Sequence, residues 1–230
     1  MKKPLDREEE TYKLPEMFLA ALIERRFTKQ FKEVSNMSVN LVKGQKISLE
    51  KEAGGKLNKV VMGLGWDVKK KKGFLGFGGG KGDNIDLDAS CVLFDEQGNM
   101  ADAVWFRQLK SKDGSIVHTG DNVTGEGEGD DEQIIVDLTK VPPNIKTLVF
   151  VVSSFRGQTF SEVENAFCRM VDQQSGKEIA KYNLSAQGNH TSQVMAKIYR
   201  HSGEWKLHAI GENASGRSFQ DFLPVIQGIL

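Results

Sequence analysis

Short apolar stretches separated by turn signals recur from Met37 to the end of the chain, and this pattern most restricts the possible folds. Candidate turns fall at Gly44 and Gly176, where glycine favours a tight connection between strands. Residues 147–152, TLVFVV, are apolar except for the β-branched Thr147, which predicts a central strand buried on both faces. Short strands with turns at this spacing predict an all-β protein, a β-sandwich with one or two short helices.

The two short helices are predicted from capping boxes, in which a hydroxyl residue precedes an acidic residue by three positions. Thr159 predicts a brief helix over residues 160–165. Ser218 predicts a second helix over residues 219–229, and Pro224 limits its length.

Residues 1–36 lack the strand pattern and are assigned to an N-terminal extension, helical or disordered, whereas residues 37–230 form the β-sandwich domain. Pro15 suits the first turn of a helix. A docking or membrane-surface helix is one interpretation of the extension. A non-native upstream segment is the other, and the abrupt start of the strand pattern favours it. The apolar residues of the extension follow one helical stripe: Leu14, Met17, Phe18, Ala21 and Leu22.

Composition and motifs argue against several classes of function. The chain has 31 basic and 31 acidic residues, so no overall basicity predicts nucleic-acid binding. Cys91 and Cys168 lie in apolar stretches and are predicted to be buried thiols of a reducing compartment. Gly80 and Lys81 are followed by Gly82, where a Walker A loop requires Ser or Thr. No enzyme activity is predicted.

The most distinctive local feature is the acidic stretch, GDNVTGEGEGDDE at residues 120–132, which has six carboxylates and no Lys or Arg. Carboxylates this close repel one another unless a cation lies between them. The interspersed glycines let the backbone turn carbonyl oxygens inward. Because Ca²⁺ prefers six to eight flexible oxygen ligands, the stretch predicts a calcium site. A solvated acidic loop is the alternative.

A second acidic feature, the pair Asp86 and Asp88, lies upstream of the acidic stretch. Residues two apart on a strand point to the same face, whereas Leu87 and Ala89 would point to the other. The pair could hold one ion with the acidic stretch closing over it, or simply form a polar strand face. It does not belong to an EF-hand, because Cys91 stands where that loop needs glycine.

Three motifs resemble those of the TerD-domain proteins of tellurite resistance and general stress: GLGWD at 63–67, DLDAS at 86–90 and HTGDNVTGEGEGDDEQI at 118–134. Two further stretches are most similar to the TerZ branch of that family: MSVNLVKGQKISLEKE at 37–52 and GFLGFGGGKGDNIDLDAS at 73–90. The resemblance extends from Met37 to the C terminus, and the acidic motif is its most specific part.

The resemblance implies a calcium-binding β-sandwich without established catalytic activity. It implies a cytoplasmic bacterial protein linked to tellurite resistance, phage inhibition and colicin resistance, with peripheral attachment to the inner membrane as an alternative location. The expected partners are calcium ions and either other TerD-domain proteins or a membrane-associated complex. The candidate metal ligands, for one ion or two adjacent ions, are Asp67, Asp86, Asp88, Asp121, Asn122, Glu126, Glu128, Asp131 and Glu132.

A basic segment precedes the second acidic pair and is predicted to be a mobile loop. Its weaker interpretation is a site for an anionic partner, formed by Lys69, Lys70, Lys71, Lys72 and Lys81.

Three functions are compatible with these sequence features. The favoured one is a non-enzymatic, calcium-binding module of the stress response. The second is a metal-dependent phosphoester hydrolase that uses the same acids around Mg²⁺ or Mn²⁺. The third is an adaptor that docks on a membrane complex or on a related protein. Metal preference separates the first two, because octahedral Mg²⁺ keeps several waters and rarely uses this many acidic residues.

Overall fold

A computed structural model describes residues 38–68, 86–120, 129–184 and 188–230 of the chain. Several predictions lie outside these ranges. They concern the extension over residues 1–36, the basic segment with Lys69, Lys70, Lys71, Lys72 and Lys81, and four of the candidate ligands, Asp121, Asn122, Glu126 and Glu128.

Two six-stranded sheets make up the described part of the chain, which confirms the predicted β-sandwich. The first sheet has the spatial order β1 (Val39–Leu41), β10 (Glu178–Asn183), β9 (Val163–Asp172), β3 (Lys59–Val68), β7 (Glu132–Asp137) and β6 (Ile116–His118). The second has the order β2 (Lys46–Ser48), β12 (Glu204–Ala214), β11 (Ser192–His201), β8 (Ile145–Ser154), β4 (Leu87–Asp95) and β5 (Met100–Val104). β1 pairs with β10 in parallel, and the other described pairs are antiparallel.

The central strand predicted at residues 147–152 is β8, which lies between β11 and β4. Its alternate residues enter two hydrophobic clusters. Leu148 and Phe150 belong to the main core, to which both sheets contribute. Val149 and Val151 belong to a second cluster on the outer face of the second sheet. Burial on both faces explains why the stretch is almost entirely apolar.

The C-terminal segment contributes to the second cluster. A 3-10 turn, Phe219–Phe222, leads into helix α2, Leu223–Gln227, with Pro224 in its first turn. Phe222 and Ile226 are buried in the cluster. The predicted helix over residues 219–229 is thus confirmed in outline, and none of the helices in the described ranges is long and apolar enough to cross a membrane.

The helix predicted over residues 160–165 is wrong in length. Only the 3-10 turn Phe160–Glu162 forms, because Val163 begins β9, and residues 163 and 164 pair with Val68 and Asp67 of β3. Pairing with β3 uses backbone groups that a helix would otherwise need. A short helix absent from the prediction, α1 (Leu49–Ala53), follows β2 and is capped by the hydroxyl of Ser48.

Both cysteines are free and buried, as predicted. Burial raises the pKa of Cys91, and it raises the pKa of Cys168 to about 12. The thiolate is the reactive form of cysteine, so we expect neither thiol of the native protein to react with Ellman's reagent at pH 8. Both should react once denaturant is added. Rapid labelling of either thiol in the native protein would contradict the buried placement.

Candidate functional site

A cleft of about 790 Å³ opens where β3 and β10 end and where β7 and β9 begin. Its walls combine aromatic rings with polar side chains. The aromatic residues are Trp66, Phe160 and Phe167. The polar residues are Asp67, Asp131, Glu164, Asn165, Lys181 and Asn183. Gly129, the first described residue after the gap in the acidic stretch, also lines the cleft.

Asp131 is held at the cleft by the backbone of β3. Its N–H donates to the carbonyl of Leu64 at 2.8 Å, and its Oδ2 accepts from the N–H of Trp66 at 2.9 Å. Burial raises the pKa of Asp131, and the carboxylates of Asp67 and Asp130 raise it further, whereas the bond from Trp66 lowers it. Two predicted ligands, Asp67 and Asp131, are therefore close enough to repel each other.

Asp67 reaches the cleft through an irregularity in the pairing of β3 with β9. The register of this pair shifts between Gly65 and Asp67. On β9, Asn165 has a φ of 51°, in the left-handed region that asparagine tolerates. Its Nδ2 donates to Asp67 Oδ2 at 2.8 Å. Bulges of this kind re-aim side chains and are frequent beside functional sites.

Asp130, the neighbour of Asp131, is fixed by Arg169 of β9. The Nε of Arg169 is 2.7 Å from Asp130 Oδ1, and Nη2 is 3.2 Å from Oδ2. The Asp130 side chain is only 1% exposed, and it also accepts from Gln133 at 3.1 Å. At Gly63 a Cβ atom would lie 2.2 Å from Asp130 Oδ2, so glycine leaves the space for this carboxylate. The ion pair fastens the end of the acidic stretch to the first sheet.

Glu132, the next residue, points into the main core, on the same side of β7 as Ile134. Its Oε2 accepts from the N–H of Ala89 on β4 at 2.6 Å, which ties β7 to the second sheet. The Nε2 of His118 lies 3.4 Å from the same oxygen, and both side chains are fully buried. The Nδ1 of His118 accepts from the N–H of Gly120 at 3.1 Å, so the ring hydrogen is assigned to Nε2.

Asp86 and Asp88 lie on the second sheet. Leu87 belongs to the main core, and Asp88 is on the opposite face of β4, as the alternation predicts. The Oδ2 of Asp86 accepts from Arg156 Nε at 3.2 Å, and Asp88 is paired across the strands with Ser153. Neither residue lines the cleft described above.

The five described candidate ligands thus divide into three environments: the cleft for Asp67 and Asp131, the core for Glu132, and the second sheet for Asp86 and Asp88. Among the described residues, no three Asp, Glu, His or Cys side chains are grouped closely enough to hold a metal. The cleft does offer carboxylate and amide oxygens, the donors that a hard cation such as Ca²⁺ prefers. These residues therefore fit part of a calcium site.

Three residues of this region were missed by the sequence reasoning: Asn165, Arg169 and the space-making Gly63. Gly63 belongs to the GLGWD motif, whose regular glycines were a usable signal for a close approach to β3. Arg169 stands 39 positions from Asp130, and nothing in its local sequence marks it as a partner.

The family model of the TerD domain matches residues 37–222 of this chain. The chain belongs to the TerD family. It is 52% identical over 183 residues to the tellurium resistance protein TerZ of Serratia marcescens, a match that covers 80% of this chain and 94% of the relative. The predicted likeness to the TerZ branch is thereby confirmed.

Some of the TerD-family relatives of this chain are named as stress proteins. The stress response protein SCP2 of Bacillus subtilis (strain 168) is 46% identical over 197 residues, which cover 81% of this chain and 98% of the relative. The crystal structure of a homologue of the telluride resistance protein TerD from Streptomyces coelicolor A3(2) superposes with a TM-score of 0.57. The two chains are 19% identical, and the match covers 70% of this chain and 92% of the homologue. The superposition therefore supports a shared fold.

Proposed function

We propose that this TerD-family protein is a calcium-binding, non-enzymatic module of a bacterial stress response associated with tellurium resistance. The observation that carries the proposal is the convergence of Asp67 and Asp131 at the polar cleft, where the carboxylate of Asp67 disfavours the charged form of Asp131. The association with stress and tellurium rests on the names of the relatives.

A cation at the cleft would remove this electrostatic cost. Burial and the neighbouring carboxylates raise the pKa of Asp131, which means that they disfavour its charged form. Asp130 is already neutralised by Arg169, but Asp67 receives only an amide hydrogen bond from Asn165 among the contacts described. An oxygen-binding cation next to Asp67 and Asp131 would offset the repulsion between their carboxylates.

In this proposal Asp67 and Asp131 bind the ion together with the acids that precede Gly129 in the acidic stretch. Glu132 and Asp130 position the strand rather than contact the ion. The bound cation supplies charge neutralisation and order, and no chemical step is assigned to it. Asp121, Asn122, Glu126 and Glu128 stay predicted ligands, as do Asp86 and Asp88 for a second ion.

The proposed role is that of a binding module in the cytoplasm. Ordering of the acidic stretch by calcium would create a surface that a partner recognises. Other TerD-domain proteins and a membrane-associated complex are the proposed partners, and the names of the relatives are consistent with a shared stress pathway.

Calorimetric titration of the metal-free protein tests the proposal. Ca²⁺ should bind and, at a hundredfold excess over its dissociation constant, stabilise the fold by about 2.7 kcal/mol. Mg²⁺ should do much less, because its small octahedral shell suits flexible protein oxygens poorly. Asp67→Asn and Asp131→Asn should each weaken calcium binding by about tenfold or more, since each removes one ligand charge.

The matched control is Glu96→Gln, which removes one charge from an exposed turn between β4 and β5. It should leave calcium affinity unchanged. The proposal fails if Ca²⁺ produces neither heat nor a shift in melting, or if both cleft variants bind as tightly as the control. Mn²⁺- or Mg²⁺-dependent hydrolysis of a phosphoester, lost in Asp131→Asn, would instead establish the hydrolase.

A further inference from the structure

A row of basic side chains crosses three strands on the outer face of the second sheet. Lys197 of β11 is directly opposite His208 of β12, and His208 is directly opposite Lys46 of β2. The adjoining residues Ile198 and Leu207 point into the main core, which places the basic row on the outer face. Directly opposed residues have Cβ atoms about 4.5–5.5 Å apart, so His208 is an immediate neighbour of both Lys46 and Lys197.

The next row on the same face continues this surface. Tyr199 of β11 is opposite Lys206 of β12, and Lys206 is opposite Ser48 of β2. Two successive rows therefore bring Lys46, Lys197 and Lys206 onto one patch of sheet. The formal net charge of the whole chain is zero, so this concentration of lysines is a local feature rather than a consequence of composition.

No carboxylate in the described ranges forms an ion pair with Lys46, Lys197 or Lys206. Burial lowers the pKa of Lys197 and of His208, and Lys46 lowers both further. The Nδ1 atom of His208 is buried and has no hydrogen-bond partner among the described residues. Lys197 Nζ donates to the carbonyl of Ile229 at 2.5 Å, so Lys46 and Lys206 are the lysines of the two rows that stay available to an anion.

A groove of about 500 Å³ adjoins the two rows, and we refer to it as the basic groove. Four residues belong both to the rows and to the groove: Lys46, Ser48, Tyr199 and Lys206. The remaining lining residues are Ile47, Lys51, Glu52, His201 and Glu204. Glu204 accepts a hydrogen bond from the hydroxyl of Ser48 at 3.1 Å, so part of its hydrogen-bonding capacity is engaged.

We propose that the basic groove binds the phosphate groups of a small polyanion, with Lys46 and Lys206 as its principal cationic contacts. A lysine ammonium group is a compact point charge and a common phosphate ligand. A multiply charged phosphate can neutralise several lysines at once, which a single carboxylate cannot. The basic groove shares no lining residue with the polar cleft, and phosphate binding there does not depend on the proposed calcium site.

The shape of the basic groove favours a small ligand over a membrane or another macromolecule. Its volume lies in the range of small-molecule sites, about 300–1,000 Å³. None of the exposed large hydrophobic residues of the described chain lines it, so it lacks side chains to insert into a bilayer. The ring of Tyr199, which packs edge-on against His201, offers a wall for an organic group attached to the phosphates.

The test uses full-length protein freed of metal on a chelating resin, so that phosphate cannot act through calcium. Tripolyphosphate and ATP are titrated by calorimetry at constant ionic strength. Both should bind, and the double variant Lys46→Gln/Lys206→Gln should weaken binding by at least about tenfold, because two charge-assisted contacts are lost. Calcium binding by this variant should be unchanged, which separates the inference from the proposed function.

The matched control is Lys110→Gln/Lys112→Gln, which removes the same charge from the connection after β5, at the other edge of the second sheet. It should change phosphate affinity by less than about twofold. Equal weakening in both double variants would show non-specific attraction and overturn the proposal. Binding to phosphatidylglycerol vesicles or to a poly-glutamate peptide without binding to tripolyphosphate or ATP would also overturn it.

Discussion

Replacing Arg169 with methionine is expected to lower the free energy of unfolding by about 3 kcal/mol. This value is at the lower end of the cost of removing one partner from a buried ion pair, because the Arg169 side chain is 31% exposed. The variant removes the two bonds that Arg169 donates to Asp130, whose side chain is 1% exposed. The carboxylate would then be buried without its counter-charge. Methionine preserves much of the apolar volume of the arginine side chain, so the loss of stability reflects the removal of the positive charge.

Urea unfolding of Arg169→Met measures this effect, and Lys140→Met is the matched control. Lys140 lies 3.2 Å from Asp137, but its side chain is 64% exposed, so its loss should cost less than about 1 kcal/mol. Equal losses in the two variants would contradict the structural role of Arg169.

Replacing Glu132 with alanine is expected to lower the free energy of unfolding by about 3 kcal/mol, since it combines a cavity with an unpaired polar group. The Glu132 side chain is fully buried, and its Oε2 accepts the N–H of Ala89. Glutamine keeps an acceptor for Ala89, so Glu132→Gln should cost only about 1 kcal/mol. Denaturant unfolding of the two variants measures the difference.

Calcium titration of Glu132→Gln then separates a structural acid from a ligand. If Glu132 ties the two sheets together, this variant should bind calcium as the parent does, whereas Asp131→Asn should not. A loss of affinity as large as that of Asp131→Asn would instead make Glu132 the metal ligand that the sequence predicted.

The two flanks of the acidic stretch are fastened by different contacts. On the N-terminal flank, the N–H of Gly120 donates to His118, which is buried beside Glu132. On the C-terminal flank, Asp130 is held by Arg169, and Glu132 by the backbone of Ala89. A binding stretch anchored to rigid strands at both ends can place its ligands more accurately than a free loop. This arrangement is consistent with the proposed calcium site.

Local sequence pattern determined the architecture of this protein. A strand buried on both faces requires apolar residues at every position, so residues 147–152 predicted β8 directly. Turn residues predicted the connections, and the apolar surroundings of Cys91 and Cys168 predicted their burial. The acidic motif was sufficient to predict membership of the TerD family, because it is long and specific. The helix at 160–165 failed because strand pairing with β3, which starts at Val163, outweighed a local capping signal.

Only the tertiary structure decided what each acid does. Asp130, Asp131 and Glu132 are consecutive, yet one pairs with Arg169, one lines the cleft and one enters the core. Their partners stand far away in sequence, Arg169 by 39 positions and Ala89 by 43. The basic row likewise joins residues of β2, β11 and β12. Periodicity records which face a residue occupies, whereas the neighbours across a sheet or between sheets are set by register and packing.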